Sequence, residues 1–135
     1  MKRILLLTLT ILLLAACSSS AKADLSGEWK LVSYGDAANP TPALPGVETT
    51  ITFENGQLGG NVGCNSFGGD FKLKGSGFTV GPIMSTLMYC NETAAQEQGV
   101  LGMLVEGVGF SVRMDGDLLT ITSSDGASVI TLARK

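Results

Sequence analysis

The sequence contains no histidine, the side chain that most often serves as a general base or a metal ligand near neutral pH. Catalytic sites of the Ser-His-Asp and Cys-His types are therefore excluded. Cysteine is scarce as well, with three in 135 residues, which disfavours a zinc site built on thiolates. The composition thus predicts a protein that is not an enzyme and that carries no metal or other cofactor.

Three further features resemble known sites but lack the residues that would complete them. Asp115-Gly116-Asp117 is without the remaining ligands of a calcium loop and is typical of a turn. The glycine-rich run Gly59–Gly69 has no Lys-Ser/Thr pair leading into a helix, so it is not a phosphate loop. No pair among the twelve acidic residues can be assigned to glycoside hydrolysis.

The first residues have the pattern of an export signal. Met1-Lys2-Arg3 is basic, and Ile4–Leu14 is an apolar run too short to span, as a helix, a bilayer core of about 30 Å. Small residues then precede Cys17, as in the lipobox of bacterial lipoproteins. We predict a lipoprotein signal peptide over 1–16, with the lipid-bearing cysteine and a flexible tether over 17–24. The alternative is an ordinary signal peptide that happens to contain a cysteine.

The residue after the cysteine is Ser18 and not aspartate, which resembles the outer-membrane signal of enterobacterial lipoproteins. We therefore expect a protein of the bacterial envelope, anchored by its lipid in the outer membrane and facing the periplasm. Loss of Lys2 and Arg3 with the signal leaves seven basic against twelve acidic residues, a net charge of −5. That charge argues against nucleic acid as a partner and against electrostatic docking to anionic lipid.

Cys64 and Cys90 remain in the mature chain, in a compartment where such a pair usually forms a disulfide. We predict this bridge; the alternative is two buried thiols that pack as small hydrophobic residues. A redox role is disfavoured, because the chain has neither a Cys-x-x-Cys motif nor a histidine that could lower the pKa of a thiol.

Short segments of alternating apolar and polar residues follow, separated by turn signals. The alternation is clear around Trp29 and in Thr49–Glu54, and the dipeptides Asn55-Gly56 and Asp115-Gly116 are typical of hairpin turns. The pattern predicts a mostly β (α+β) domain over residues 25–135. We expect a small curled antiparallel β-sheet or open β-barrel of about eight short strands, with one helix packed on it.

The segment Asn91–Val108 is predicted to be that helix. Thr93 and Gln96 could form a capping box at its start, and Gly99 and Gly102 indicate close packing on the sheet. Its apolar residues recur with helical spacing at Leu101, Leu104, Val105 and Val108.

Three motifs in this order carry a family resemblance. G-E-W-K-L, G-C-N-S-F-G-G-D-F and S-T-L-M-Y-C, followed by a helix that contains Glu97, resemble the META domain as found in HslJ-type heat-shock lipoproteins. The resemblance covers nearly all of Leu25–Lys135 and departs at Tyr89, where family members often carry alanine. It implies a small antiparallel β-domain with a helix in the bacterial envelope, and no enzyme activity. Family members have been linked to envelope stress and drug tolerance, and their fold looks like that of pilot lipoproteins that hold an acyl chain in an opened barrel.

Two groups of residues are candidates for a binding site. The polar residues beside the cysteines could form its rim, although we favour a role in satisfying backbone groups at strand ends. These residues are Asn65, Ser66, Ser85 and Thr86. Flexible apolar side chains could line a pocket for a lipid or a peptide, although ordinary core packing is the favoured explanation. These side chains are Met84, Met88, Met103, Leu104 and Met114.

The sequence therefore predicts a non-enzymatic envelope lipoprotein with a binding or chaperone-like role in envelope stress or drug tolerance. Its partners would be the membrane, through the lipid, and a hydrophobic ligand held between the helix and the sheet, or a protein of the envelope. The alternative is a protein-interaction module, either an inhibitor that uses the long proline-rich loop Gly35–Val47 or a pilot-like lipoprotein that holds a partner or an acyl chain.

Overall fold

A computed structural model describes residues 24–135 of the chain. The predicted signal peptide, Cys17 and all but the last residue of the predicted tether lie outside the described residues. Within residues 24–135, no helix has both the length and the apolar character needed to cross a bilayer. The elements in chain order are β1 (Gly27–Asp36), β2 (Thr41–Pro42), β3 (Thr50–Glu54), β4 (Gln57–Asn61), β5 (Ser66–Lys74), β6 (Gly77–Val80), β7 (Met84–Ser85), α1 (Ala94–Leu101), β8 (Gly109–Asp115), β9 (Leu118–Ser123) and β10 (Ser128–Arg134).

Eight of these strands form a closed antiparallel barrel, in the order β1, β3, β4, β5, β6, β8, β9 and β10. The barrel closes because β10 pairs back with β1, from Trp29 opposite Arg134 to Asp36 opposite Ser128. The predicted fold, mostly β with one helix, is confirmed, and the barrel is closed. The two remaining strands have two residues each: β2 pairs with β1, and β7 pairs with β5. All eight barrel strands and their core lie in residues 24–135, which thus contain a complete folding unit.

The interior of the barrel is filled by large apolar side chains. Trp29 is fully buried, and its indole N–H donates a hydrogen bond to the carbonyl oxygen of Leu25 at 2.9 Å. Phe53 and Phe78 meet edge to face with their ring centres 5.6 Å apart, a favourable arrangement for aromatic pairs. On most strands the side chains on the opposite face are exposed or half-buried, as the alternating sequence predicts. β10 differs, because the consecutive residues Val129 and Ile130 are both buried.

The β3–β4 hairpin forms as predicted. Asn55 and Gly56 both have positive φ, 51° and 78°, as the favoured two-residue hairpin turn requires. On the return strand, a side chain at Gly60 would overlap the carbonyl oxygen of Thr50, so this position needs glycine for a close backbone approach.

The predicted helix over Asn91–Val108 is too long. α1 has eight residues, and the N–H of Gly102 bonds back to the carbonyl oxygen of Gln98 at 2.9 Å before the chain turns away. Leu104 is buried whereas Val105 is more than half exposed, so the predicted apolar stripe does not form one helical face. The face that α1 buries contains Gln96, Glu97 and Val100.

The predicted capping box is also wrong. Thr93 occupies the N-cap position, but its side chain does not cap the helix, and its hydroxyl donates to Glu97 at 3.2 Å instead. Gln96 turns inward: its amide N–H donates to the carbonyl oxygen of Val62 at 2.6 Å, and its oxygen accepts from the N–H of Leu44 at 2.7 Å. The side chain of Gln96 thus bonds to distant segments of the chain and not to the start of its own helix.

The loop predicted over Gly35–Val47 is more ordered than expected. β1 extends to Asp36, and Thr41 and Pro42 form β2 against it. The bond from Leu44 to the helix then fixes the second half of the loop. Deleting this loop would therefore disturb the barrel, which weakens the interpretation of the loop as a detachable interaction arm.

We expect Gly99→Ala to lower the free energy of unfolding by about 1–3 kcal/mol, the usual cost of overpacking. A methyl group at this position would overlap the ring of Tyr34 on β1, so the helix would have to move off the barrel. Urea denaturation measures the loss. Gly109→Ala is the matched control, since a methyl group there meets no atom within 4 Å. Equal midpoints for the two variants would contradict close packing of α1 on β1.

Candidate functional site

The carboxylate of Glu97 lies at the centre of a hydrogen-bond cluster at one end of the barrel. Its Oε1 atom accepts from the N–H of Asn65 at 3.0 Å, from the hydroxyl of Thr93 at 3.2 Å and from the N–H of Cys64. Its Oε2 atom accepts from Nδ2 of Asn65 at 2.7 Å. The helix is thereby tied to the connection between β4 and β5.

Glu97 is ionised at neutral pH. Burial, at 8% exposure, raises its pKa, but the hydrogen bonds from Asn65, Cys64 and Thr93 together outweigh burial and hold the pKa of Glu97 below its usual value. A general acid at neutral pH needs the opposite shift, and a general base needs a free lone pair facing a substrate. The hydrogen bonds of Glu97 are suited to a structural role, which is to hold α1 against the β4–β5 connection.

Asn65 extends the cluster to the segment that follows β7. Its Oδ1 atom accepts from the N–H of Met88 and from the hydroxyl of Thr86, both at 2.8 Å. Its Nδ2 atom also donates to the carbonyl oxygen of Met88 at 2.9 Å. These bonds agree with the interpretation that polar residues beside the cysteines satisfy backbone groups, and they hold the segment at its middle.

The predicted disulfide between Cys64 and Cys90 is present, with the two Cα atoms 6.1 Å apart. It joins the β4–β5 connection to the residue at which the chain enters the turn before α1. Residues 84–90, which we call the 84–90 segment, are thus fixed by β7 at one end, by Asn65 in the middle and by the disulfide at the other end.

The large apolar side chains of the 84–90 segment face solvent although its backbone is fixed. Leu87 is 94% exposed and Tyr89 is 87% exposed, with Met88 exposed between them. Together with α1 the segment borders a cavity of about 440 Å³, which we call the groove. Its lining consists of Asn65, Ser85, Thr86, Leu87, Met88, Tyr89, Glu97, Gln98, Leu101 and Gly102.

The structure brings the predicted rim together but divides the predicted pocket. Three rim residues, Asn65, Ser85 and Thr86, all line the groove. Of the apolar residues, Met88 alone lines it. The others lie elsewhere: Met84 is exposed beside Phe67, Met103 and Met114 pack against the core, and Leu104 is buried in it.

Leu87 and Gln98 line the groove but were not predicted as site residues, and no role was predicted for the side chains of Tyr89 and Glu97. The sequence does carry one indication that Leu87 belongs to a site. Leu87-Met88-Tyr89 is an apolar run that follows Gly81-Pro82 and precedes a cysteine, without the alternation of a strand or the spacing of a helix. Such a run suits an exposed binding segment as well as a core.

Two of the three motifs that resembled the META domain, G-C-N-S-F-G-G-D-F and S-T-L-M-Y-C, lie where this site is built. A family model described as META domain matches residues 23–135. The chain belongs to the META domain family. Its META domain contains the barrel, the disulfide and the groove. The finer resemblance to HslJ-type members stays a prediction.

Several solved structures share the fold of this META domain. A protein from Burkholderia xenovorans, solved by NMR, is 22% identical with a TM-score of 0.66, over 82% of this chain and 83% of that chain. A crystal structure of a DUF4847 family protein from Bacteroides vulgatus is 15% identical with a TM-score of 0.59, over 82% and 94%. These likenesses show the fold alone. No curated protein matches the chain in sequence.

Proposed function

We propose that the protein is a non-enzymatic binding module of the bacterial envelope whose META domain takes up an apolar partner in the groove. The observation that carries this proposal is the exposure of Leu87 and Tyr89 on a backbone that is held at both ends and in the middle. Contiguous exposed apolar side chains usually mark an interaction site. A segment fixed before binding loses little conformational freedom on binding, which favours affinity.

The environment of Glu97 supports a binding role over a catalytic one. Among the described residues, Glu97 is the one acidic residue that is buried. Hydrogen-bond donors already contact both oxygens of its carboxylate. The absence of histidine from the sequence agrees with this proposal. The signal-like start and Cys17 support a lipid anchor in the outer membrane on the periplasmic side. The resemblance to HslJ-type lipoproteins supports a role in envelope stress or drug tolerance.

The direction of the strands supports a groove that faces away from the anchor. The described chain enters the barrel at Gly27, whereas the groove lies at the end where β1 finishes and β5 begins. A lipid on Cys17 would therefore attach at the barrel end opposite the groove. This arrangement would leave the groove free for a partner in the periplasm.

Titration of residues 24–135 with the fluorescent apolar probe N-phenyl-1-naphthylamine tests the proposal. We expect a rise in fluorescence on binding, and an affinity about tenfold lower in the double variant Leu87→Ser, Tyr89→Ser, because each exposed apolar side chain contributes area that binding removes from water. Leu73→Ser is the matched control, since Leu73 is exposed on β5 away from the groove. Absence of binding, or equal binding by the double variant, would refute the proposal.

A further inference from the structure

β7 has one backbone edge without a strand partner among residues 24–135. It pairs only with β5. The N–H of Thr86, directly after β7, donates to the carbonyl oxygen of Ser66 on β5 at 3.0 Å. Because successive N–H groups of a strand point to opposite edges, the N–H of Ser85 points away from β5. Ser85 also lines the groove, so an open strand edge lies beside the apolar side chains of the 84–90 segment.

The barrel end that contains the groove is acidic. Among the described residues this end carries no lysine or arginine, and it carries four carboxylates, those of Asp36, Glu92, Glu97 and Asp125. Four basic residues lie toward the opposite end, namely Lys74, Arg113, Arg134 and Lys135, whereas Lys30 and Lys72 line cavities along the barrel wall beside Glu48 and Glu106. The other eight acidic residues exceed the six basic ones by two, so four of the six net negative charges of the described residues lie at the end with the groove. The domain is therefore polarised, and cations are attracted to the end with the groove.

The helix adds to this potential. Leu101 and Gly102, at the C-terminal end of α1, line the groove, and the last turn of α1 contains no basic residue. The C-terminal end of a helix carries partial negative charge on its carbonyl groups, which favours cations nearby. Anionic lipid headgroups would be repelled by the same field, so the charge distribution favours a basic partner over a phospholipid.

We infer, on the basis of the proposed function, that the groove binds an extended segment of a partner protein in which apolar residues alternate with lysine or arginine, and that this segment adds as a strand to β7. Strand addition supplies affinity through backbone hydrogen bonds and specificity through alternate side chains. One set of side chains enters the groove against Met88 and Leu101. The other set carries the positive charges that the acidic end attracts.

The test uses residues 24–135 and a fluorescent, acetylated peptide of about nine residues with alternating lysine and valine. We expect saturable binding by fluorescence anisotropy, weakened severalfold when NaCl is raised from about 50 to about 500 mM. A peptide with glutamate in place of lysine should bind about tenfold more weakly or worse, because like charges are juxtaposed. A peptide N-methylated on alternate residues should lose affinity to a similar extent, because it cannot form the backbone bonds of an added strand.

The protein variant that matches the N-methylated peptide is Ser85→Pro. It removes the N–H on the open edge, and proline is tolerated on edge strands where the N–H faces outward. We expect about tenfold weaker peptide binding than in the control variant Leu73→Ser. If Ser85→Pro does not fold, the N-methylated peptide tests the same hydrogen bonds on the unaltered protein.

The outcomes separate this inference from the proposed function. Binding of the naphthylamine probe that depends on Leu87, without binding of the basic peptide, overturns the peptide inference and leaves the proposed function standing. Equal affinity for the acidic and basic peptides, or for the methylated and unmethylated ones, also overturns the inference. Failure of both the probe and the peptide to bind overturns both.

Discussion

Glu97→Ala lowers the free energy of unfolding by about 3–5 kcal/mol, as when one partner of a buried charged network is removed. The variant leaves the N–H groups of Cys64 and Asn65 and the amide of Asn65 without their acceptor. Urea denaturation monitored by tryptophan fluorescence measures the loss, since Trp29 reports on the core. Glu92→Ala is the control, because Glu92 is exposed two residues after the disulfide. A loss below about 1 kcal/mol would show that water replaces these bonds.

Glu97 also makes the free energy of unfolding depend on pH, and the direction of this dependence follows from its lowered pKa. Because the pKa of Glu97 is lower in the folded than in the unfolded state, its contribution is fully present above the usual glutamate pKa of about 4.3. The contribution is lost as the pH falls through the lower, folded-state pKa. The pKa of Asp125 is lowered too, by hydrogen bonds from Ser123 and Ala127. The difference in free energy of unfolding between the unaltered protein and Glu97→Ala therefore reports on Glu97 alone. We expect this difference to shrink below about pH 4.3.

Replacing both Cys64 and Cys90 by serine is expected to lower the free energy of unfolding by about 3–4 kcal/mol, the chain-entropy value for a loop of this length. The two cysteines are 26 positions apart, and the open loop adds conformations to the unfolded chain. The double variant leaves no unpaired thiol in residues 24–135, so its denaturation can be compared directly with that of the unaltered domain. The unaltered domain in strong reductant should approach the stability of the double variant.

The disulfide is also expected to raise the affinity of the groove, because it restricts the backbone of the 84–90 segment. Without it, the 84–90 segment is held only by β7 and by the bonds to Asn65, so its backbone gains freedom that binding must remove. The double variant should therefore bind the naphthylamine probe more weakly even at temperatures where it is fully folded. An unchanged affinity in a folded double variant would mean that Asn65 alone positions the segment.

The fold was predictable because its signals are local. Strand alternation and the Asn55-Gly56 turn depend on neighbours in the sequence, and the structure has strands and a turn at those places. The extent of α1 was not predictable for the opposite reason. Gln96 was predicted to cap the helix locally and Glu97 was given no contact, whereas their partners Val62 and Asn65 lie more than thirty residues earlier in the chain.

The site was only partly predictable for a related reason. Asn65, Ser85 and Thr86 were candidates because they flank the cysteines, and all three line the groove. The exposure of Leu87 was not predictable, because an apolar residue in a sequence is expected in the core. Its exposure follows from the bonds between Asn65 and Met88, which fix the backbone so that the side chain points outward.

The pairing of β10 with β1 has a consequence for the order in which the protein acquires its structure. These strands are about a hundred residues apart in the chain. During synthesis from the N-terminus, β1 is made first and lacks its second neighbour until β10 has been made. Until then β1 and β9 present open edges that other chains could join. β10 is the strand that closes the barrel. A nascent chain that stopped before β10 would be exposed to aggregation even though most of its core had been made.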